Sequence, residues 1–422
     1  MKIIYVSNAE NFVKNFSVKN FQSTKVVQSI LHDVEKNGDA ALRKYEKKFN
    51  HADLNQLQVT DKEIDNAYTV VNNRQINAIK VAKNKLQKTE KAVKLILKNQ
   101  TINIDGTKIF KRFLPIQNVG CYVPGGLAKY PSSVVMSVVP AKVAGVREII
   151  VVSPPNSNGQ IDPLTVVASD ICGATAIFKT GGAQAIAALS YGTKSIPKVD
   201  KIVGPGGMFV TMAKSLVSNQ TSIDMLAGPT ELGIIADASA NPKYVALDLI
   251  SQSEHSKDTQ CYLITNSVKL AHSVNKIISQ LTSNISRQDF VKTSLKKNGF
   301  IAVCKNQSDM ITIVNKLAPE HLQIMTRDIR NISSKITSPG VILLGNNTPS
   351  SASDYMLGSN HILPTNGFGK TRGSLSVLDF IKPVTYVTTS KQSLKKISKH
   401  INILTSAEGL PNHFEAVRGR LE

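Results

Sequence analysis

The residue types that most favour metal chemistry lie at the end of a predicted helix. Gln252 and His255 are three residues apart in Ser-Gln-Ser-Glu-His, so their side chains share one helix face. A histidine with an oxygen-bearing neighbour at this spacing could be half of a zinc site, which a carboxylate and a second histidine would complete. Asp354 and His413 are the candidates. A histidine at a helix end is also stabilised by the helix dipole alone, so spacing leaves both interpretations open.

A second pair of residues favours acid/base chemistry. Glu320 and His321 are adjacent and follow Ala318-Pro319. A histidine exchanges protons near neutral pH, and a carboxylate beside it could activate water. The alternative is that both are exposed polar residues in a loop. His361 lies seven residues after Asp354 and could support that carboxylate through a hydrogen bond.

Three glycine-rich segments follow predicted strands, at 122–126, 181–184 and 204–207. Glycine allows close approach of the backbone, and the helix that begins beyond it favours phosphate. None of the three has the G-x-G-x-x-G pattern of dinucleotide-binding loops. Each segment alone is typical of a tight turn. Together they favour an anionic ligand about as strongly as they favour turns.

The elements that must position these residues form an alternating pattern from about residue 115. Helical stretches separate short β-branched runs at 148–152, 176–178, 201–203, 232–236, 261–265, 300–304 and 341–344. Such alternation predicts an α/β fold with parallel sheets. Ligands of these folds bind at the carboxyl ends of the strands. The N-terminal quarter has helical periodicity instead, over 24–49 and 61–98.

Length and composition exclude several classes of protein. A chain of 422 residues with 41% hydrophobic residues can build two or three cores. No apolar run approaches the roughly 18 residues of a membrane span, and the opening residues form too short an apolar segment for a signal peptide. We therefore expect no membrane association and a cytoplasmic location. The four cysteines lack C-x-x-C spacing, which excludes a disulfide framework and a thiolate zinc site.

The charge is strongly positive, with 51 Lys and Arg against 30 Asp and Glu, a formal +21. Positive charge is most concentrated in a series of lysines over 80–98. These lysines are mostly three or four residues apart on a predicted helix, and apolar residues lie between them. This pattern is typical of an amphipathic helix with a solvated face. No aromatic residue interrupts the run to stack on bases, and no zinc-finger or RNA-binding motif occurs. We expect no nucleic-acid partner.

Read in order, several of these segments resemble the histidinol dehydrogenase family, and the resemblance extends from about residue 20 to residue 420. The segments that carry it are Val-Gly-Cys-Tyr-Val-Pro-Gly-Gly (119–126), Tyr-Pro-Ser-Ser-Val-Val-Met (130–136), Pro-Ala-Lys-Val-Ala-Gly-Val (140–146), Gly-Gly-Ala-Gln-Ala-Ile-Ala-Ala-Leu (181–189), Val-Asp-Lys-Ile-Val-Gly-Pro-Gly (199–206), Ile-Asp-Met-Leu-Ala-Gly-Pro-Thr-Glu (223–231), Ser-Gln-Ser-Glu-His (251–255), Ala-Pro-Glu-His-Leu (318–322), Ser-Asp-Tyr (353–355), Ser-Asn-His-Ile-Leu-Pro-Thr (359–365) and Glu-Gly-Leu-Pro-Asn-His (408–413).

The resemblance implies an enzyme that oxidises L-histidinol to L-histidine through L-histidinaldehyde, with one zinc ion and two NAD⁺, in the last step of histidine biosynthesis. It implies that the general bases are Glu320 and His321. The implied zinc ligands, which also contact substrate, are Gln252, His255, Asp354 and His413. The other implied substrate contacts are Thr230, His321 and Glu408. The implied NAD contacts are Tyr122, Gln184 and position 207, which is glycine here.

For the fold, the resemblance implies a homodimer of chains with two incomplete Rossmann-like parallel-sheet units. Residues 1–115 would be a helical region that packs on the second unit. The first unit, on the NAD side, would span 116–231, and the second, with the metal and acid/base residues, 232–375. Residues 376–422 would be a dimerisation tail that crosses to the partner, so that His413 completes the other subunit's site.

Three positions depart from the family pattern. Gly207 replaces an asparagine that contacts the cofactor, Thr230 replaces a serine, and Ser350 stands where an acidic residue is common. Two other functions remain open from the sequence: a dehydrogenase of the same fold that acts on another small alcohol, and a basic binding protein without turnover. Glu408 and His413 are intact, which argues against the first. The complete set of proposed ligands argues against the second.

Overall fold

Strands and helices alternate through most of the chain in the computed structural model, which describes residues 1–14, 24–125 and 129–422. The strands are β1 (Lys2–Tyr5), β2 (Gln100–Ile104), β3 (Thr107–Pro115), β4 (Asn118–Tyr122), β5 (Glu148–Ser153), β6 (Ala176–Lys179), β7 (Lys201–Val203), β8 (Ser222–Ile223), β9 (Glu231–Ala236), β10 (Gln260–Thr265), β11 (Phe300–Val303), β12 (His321–Met325), β13 (Val341–Leu344) and β14 (Ile381–Thr389).

The helices are α1 (Ala9–Lys14), α2 (Thr24–Asn50), α3 (Asp61–Val70), α4 (Asn73–Lys94), α5 (Pro131–Ala144), α6 (Pro163–Cys172), α7 (Gly182–Tyr191), α8 (Met208–Val217), α9 (Pro242–Ser253), α10 (Val268–Leu281), α11 (Gln288–Lys297), α12 (Gln307–Leu317), α13 (Ile329–Ser333), α14 (Ser350–Tyr355), α15 (Lys391–Ala407) and α16 (Pro411–Arg418). None of the described helices is both long enough and apolar enough to cross a bilayer.

Two parallel sheets form the core of the molecule. One has the strand order β6-β5-β4-β7-β8, and the other has the order β1-β11-β10-β9-β12-β13. Helices cover both faces of their central strands, which is why β5 and β9 are apolar along almost their whole length. The α/β class and the predicted strands are therefore confirmed. The four cysteines are free, in agreement with the excluded disulfide framework, and all four are buried. Burial raises the pKa of the Cys121 thiol to about 12.

The N-terminal region packs differently from the prediction. Among the described elements of this region, only β1 and α1 join the second sheet, where β1 pairs with β11 and α1 packs on α12. Helix α2 packs on α7 and α8 of the first sheet, and α4 packs on α5 and α6. The prediction that residues 1–115 pack on the second unit as a helical region is therefore wrong, and β2 and β3 also lie within that range. Periodicity identifies an apolar helix face but does not say which surface covers it.

The lysine-rich helix α4 uses part of its charge inside the molecule. The Lys94 Nζ donates hydrogen bonds to the carbonyls of Val143 (2.7 Å) and Ala144 (3.2 Å), at the end of α5. The Lys83 Nζ donates to the Ile171 carbonyl at 2.6 Å, near the end of α6. A cation at a helix C-terminus is stabilised by the helix dipole. The amphipathic helix is confirmed, but these two lysines stabilise neighbouring helices.

The C-terminal tail forms a small sheet with the N-terminal region. Strand β14 pairs antiparallel with β3, from Ile381 opposite Pro115 to Thr389 opposite Thr107, and β2 pairs with the other edge of β3. Helices α15 and α16 pack on each other. Their large apolar side chains that remain exposed are Ile397, Ile403, Leu404 and Leu410. The tail therefore presents an apolar surface that its own chain leaves exposed.

Candidate active site

A cavity of about 610 Å³ opens between the two parallel sheets. The first sheet contributes the loop after β7, and the second contributes the end of α9 and the residues around β12 and α14. It brings together seven of the eleven site residues that the family resemblance implies, namely Gly207, Thr230, Gln252, His255, Glu320, His321 and Asp354, and His361 also lines it. The metal and acid/base candidates thus share one site.

The segment 204–207 requires glycine at its first position but not at its last. Gly204 has φ +112, and a Cβ there would lie 2.1 Å from the Tyr122 carbonyl oxygen. This glycine therefore permits a tight turn and a close backbone approach. Gly207 has φ −67, and a Cβ there would meet nothing within 4 Å. The turn requires Gly204, while position 207 has open space at the cavity.

A buried ion pair holds this turn in place. The Lys214 Nζ pairs with the Asp224 carboxylate and donates to the Gly204 carbonyl at 3.0 Å. The other oxygen of Asp224 accepts a hydrogen bond from the Gly204 amide at 2.8 Å. Both side chains are almost fully inaccessible. The pair therefore ties the glycine turn to the segment that follows β8.

Replacing Lys214 by methionine should lower the free energy of unfolding by about 3–5 kcal/mol, because it leaves the buried charge of Asp224 unpaired. Urea unfolding measures this. The matched control is Lys316→Met, which removes an exposed pair with Glu10 and should cost about 1 kcal/mol or less. Equal losses in the two variants would contradict a structural role for the buried pair.

His321 lies at the start of β12 and is nearly fully buried. Its Nε2 lies 3.1 Å from the Asp354 Oδ1. A carboxylate only accepts hydrogen bonds, so Nε2 carries a proton, and in the neutral ring Nδ1 is the nitrogen that can accept one. Among the described residues, Nδ1 has no hydrogen-bond partner, and it lies 3.9 Å from the Glu320 Oε2. This is the arrangement of a general base whose tautomer a carboxylate fixes.

Glu320 is held by a reciprocal contact with Glu231, the first residue of β9. The Glu320 Oε2 accepts from the Glu231 amide at 2.9 Å, and the Glu231 Oε2 accepts from the Glu320 amide at 3.2 Å. The other oxygen of Glu231 accepts from the Asn366 amide at 3.0 Å. Sequence reasoning missed this role of Glu231. The available signal was an acidic residue opening a strand that is otherwise apolar.

The surroundings of these groups favour proton retention. Burial raises the pKa of Glu320 to about 8 and that of Glu231 to about 7. Burial opposes charge on His321, but the carboxylates of Glu320 and Asp354 raise its pKa to about 9. For Asp354, burial is outweighed by the hydrogen bond from His321 and by nearby imidazoles, so its pKa lies below the usual value. Glu320 and His321 can therefore hold and pass a proton.

Three side chains beside this pair have the chemistry of zinc ligands. His255 faces the cavity, and desolvation lowers its pKa despite the Asp354 carboxylate, which favours the neutral imidazole that binds a metal. The Gln252 Oε1 accepts a hydrogen bond from the Ser350 Oγ at 3.2 Å. Within the described residues, no three His, Cys, Asp or Glu side chains form a metal-binding group. The side chains of Gln252, His255 and Asp354 therefore belong to types that can bind zinc. They are three ligands, whereas a zinc site usually has four.

A sequence profile described as histidinol dehydrogenase matches residues 14–421. The chain belongs to the histidinol dehydrogenase family. It is 41% identical to the histidinol dehydrogenase of Oceanobacillus iheyensis, over 97% of this chain and 96% of that protein. Identity to the Methanocaldococcus jannaschii histidinol dehydrogenase is also 41%, over 98% and 96%. The crystal structure of histidinol dehydrogenase from Elizabethkingia anophelis superposes with a TM-score of 0.94 at 34% identity, covering 100% of this chain and 98% of that one.

Membership of the histidinol dehydrogenase family makes the chain an oxidoreductase of the last step of histidine biosynthesis. The interpretation as a basic binding protein is therefore wrong. The positive charge that suggested it belongs partly to lysines that cap helices. His361 contacts the backbone of Asp354 and not, as expected, its carboxylate, because its Nδ1 donates to the Asp354 carbonyl at 2.7 Å.

Four of the site residues that the histidinol dehydrogenase resemblance implies are not among the described residues that line the cavity. Glu408 follows α15 and His413 lies in α16, and both are exposed. Tyr122 and Gln184 are buried together near the start of α7, where the Tyr122 hydroxyl accepts from the Gly182 amide at 3.2 Å. Within the segment 122–126, Gly126 lies outside the described residues.

Proposed function

We propose that this chain is a zinc- and NAD-dependent enzyme that oxidises L-histidinol to L-histidine through L-histidinaldehyde, with reduction of two NAD⁺. The observation that carries the proposal is the convergence of Glu320, His321 and Asp354 with Gln252 and His255 in one cavity. A four-electron oxidation needs a base for an alcohol and a base for water, and the two groups lie side by side. Family membership supplies the substrate class.

His321 acts in the first oxidation. Bound NAD⁺ would accept hydride from the carbinol carbon. The alcohol must lose its hydroxyl proton in the same oxidation, which gives the aldehyde. His321 in its neutral form accepts that proton at Nδ1, while Asp354 holds the opposite nitrogen in its protonated form. Asp354 also stabilises the imidazolium that results. The pair therefore combines orientation with charge compensation.

Glu320 acts in the second oxidation. Water adds to the aldehyde, and the hydrate loses a second hydride to become the carboxylic acid. Glu320 takes the proton from that water, because its burial raises its pKa and makes the carboxylate a stronger base than a solvated one. The Glu231 amide holds one of its oxygens in place. Its neighbour His321 lies within range to receive the proton afterwards.

Gln252, His255 and Asp354 would hold the zinc ion, with His413 from a second copy of the chain as the fourth ligand. Bound zinc would hold the imidazole and amine nitrogens of histidinol and so fix the carbinol carbon for hydride transfer. Two observations support the crossing of the tail. His413 and Glu408 are exposed and lie outside the described lining of the cavity, and the same helices present unburied apolar side chains.

Removal of the metal tests the proposal. Protein treated with a chelator should form no NADH from L-histidinol, because the ligand set can no longer hold the substrate nitrogens. Added Zn²⁺ should restore NADH formation, while Mg²⁺ should not, because it prefers oxygen ligands. NADH absorbance measures the rate, and elemental analysis measures the metal content. A chelated protein that is free of metal and keeps its full rate would contradict the proposal.

The NAD⁺ side of the site is proposed to include Tyr122, Gln184 and the turn that ends at Gly207. Replacing Gly207 by asparagine should tighten NADH binding by up to about tenfold, because the side-chain amide adds one hydrogen bond in open space. NADH fluorescence titration measures the change. Gly207→Ala is the control, since it alters the backbone in the same way without an amide. Equal effects of alanine and asparagine would show that position 207 does not contact the cofactor.

A further inference from the structure

Glu46 is a fully buried acidic residue on α2, outside both parallel sheets. Its Oε1 accepts three hydrogen bonds, from the Thr180 Oγ1 at 2.8 Å, the Gly181 amide at 3.0 Å and the Gln184 Nε2 at 2.9 Å. Its Oε2 accepts a fourth, from the Asn50 Nδ2 at 2.6 Å. Two of the four donors, Thr180 and Gly181, belong to the turn between β6 and α7, and Gln184 lies in the first turn of α7. Glu46 is therefore the group around which that turn is built.

The Glu46 carboxylate occupies the N-terminal end of α7. Helix N-termini at this place in α/β folds commonly bind phosphate, because the dipole and the free amides attract an anion. Here the Gly181 amide already donates to the protein's own carboxylate. The positive end of α7 is thus compensated from within the chain. A cofactor phosphate would have to bind elsewhere.

Glu46 also decides which end of the Gln184 amide is available. A carboxylate cannot donate a hydrogen bond, so the Nε2 faces Glu46 and the Oε1 is turned the other way. An amide oxygen accepts from hydroxyl or amino groups and repels phosphate. The Gly182 amide donates to the Tyr122 hydroxyl oxygen, which leaves the hydroxyl proton of Tyr122 to donate. The turn therefore orients one acceptor and one donor.

We infer that Glu46 is a positioning residue for NAD⁺. It fixes the β6–α7 turn so that the Gln184 amide oxygen and the Tyr122 hydroxyl can contact donor and acceptor groups of the cofactor's nucleoside portion. It does not compete with the cofactor for the α7 N-terminus. This inference rests on the proposed function, in which Tyr122 and Gln184 are cofactor contacts. It assigns a role in cofactor binding to a helix that lies outside both sheets.

The test compares two substitutions of Glu46 with a matched control. Glu46→Gln keeps the volume and an acceptor oxygen, whereas Glu46→Leu keeps the approximate volume and removes every acceptor. Asp39 is the control, because it lies on the same helix and accepts from the Ser195 amide (3.2 Å) and hydroxyl (2.6 Å) beyond the far end of α7. Asp39→Asn therefore perturbs the same helix packing away from the proposed cofactor contacts.

NADH fluorescence titration gives the dissociation constant, and steady-state assays separate the KM for NAD⁺ from kcat and from the KM for histidinol. We expect the dissociation constant to rise about threefold in Glu46→Gln and about tenfold or more in Glu46→Leu. Zinc content and the KM for histidinol should stay at wild-type values. Asp39→Asn should bind NADH like the wild type even if its melting temperature falls. If Glu46→Leu does not fold, Glu46→Gln decides the question.

Each remaining outcome overturns the inference. Unchanged NADH binding in folded Glu46 variants would make the residue purely structural. Tighter binding would mean that the carboxylate competes with a cofactor phosphate at α7. Equal weakening in Asp39→Asn would make the effect a general one of helix packing. Failure of the proposed function has a different signature, because wild-type protein would then form no NADH from histidinol whatever the variants do.

Discussion

Replacing His413 by asparagine should strip zinc from the enzyme and abolish NADH formation from histidinol. The side chain lies on exposed α16, whereas the other three proposed ligands lie at the cavity. Even indirect supports of metal ligands cost about 10–100-fold in affinity when removed, so loss of a ligand should cost at least about 100-fold. Elemental analysis after dialysis measures the metal. A His413→Asn protein that retains one zinc per chain would contradict the ligand assignment.

A mixed dimer tests which chain supplies His413. His255→Asn removes a ligand at the cavity, and His413→Asn removes the one on the tail. If tails cross, a dimer of the two variants contains one complete site. Random pairing should then recover about a quarter of the wild-type activity, since half the dimers are mixed and each has one of two sites intact. Recovery of no activity in verified mixed dimers would show that both ligands belong to the same chain.

Replacing His321 by asparagine should slow hydride transfer by about 10²–10⁴-fold, the usual contribution of a general base. Zinc should still bind, because His321 is not among the proposed metal ligands. Histidinol should still bind through the zinc ion and the remaining proposed substrate contacts. The physical reason is the free Nδ1, which an asparagine amide cannot replace as a proton acceptor. Single-turnover NADH absorbance measures the step, and elemental analysis confirms the metal.

His272→Asn is the control for the His321 variant, because His272 is an exposed histidine on α10 and should leave the rate unchanged. A His321→Asn enzyme as fast as the wild type would show that another group takes the hydroxyl proton. Loss of zinc in the same variant would instead make His321 a support of Asp354, since those two side chains share a hydrogen bond.

The parallel sheets could be predicted from the sequence because their signal is local. Strands such as β5 and β9 are covered on both faces, so they are short apolar runs that differ in texture from the helices between them. The clustering of Gln252, Glu320 and Asp354 followed from the family motifs alone. The rule that ligands bind at the carboxyl ends of parallel strands does not account for it, because Glu320 directly precedes β12. The apolar runs of the strands and the family motifs can both be recognised in a single sequence without knowledge of tertiary contacts.

Other features could not be predicted because they depend on which surfaces meet. Helix α4 has an apolar face that would suit either sheet, and only packing places Lys94 at the end of α5. Glu46 resembles any charged residue of α2, yet folding buries it completely among donors from the turn before α7. Glu231 is likewise a motif residue whose contact with Glu320 joins segments 89 residues apart. Long-range polar contacts leave no periodic pattern.

The most direct measurement counts NADH formed per histidinol consumed by zinc-loaded protein at saturating NAD⁺. The proposed mechanism predicts two NADH per histidinol, because His321 serves the alcohol oxidation and Glu320 serves the oxidation of the hydrated aldehyde within one cavity. One NADH per histidinol would contradict the role of Glu320 in the second step. No NADH from histidinol, with zinc and NAD⁺ both bound, would contradict the proposed function itself.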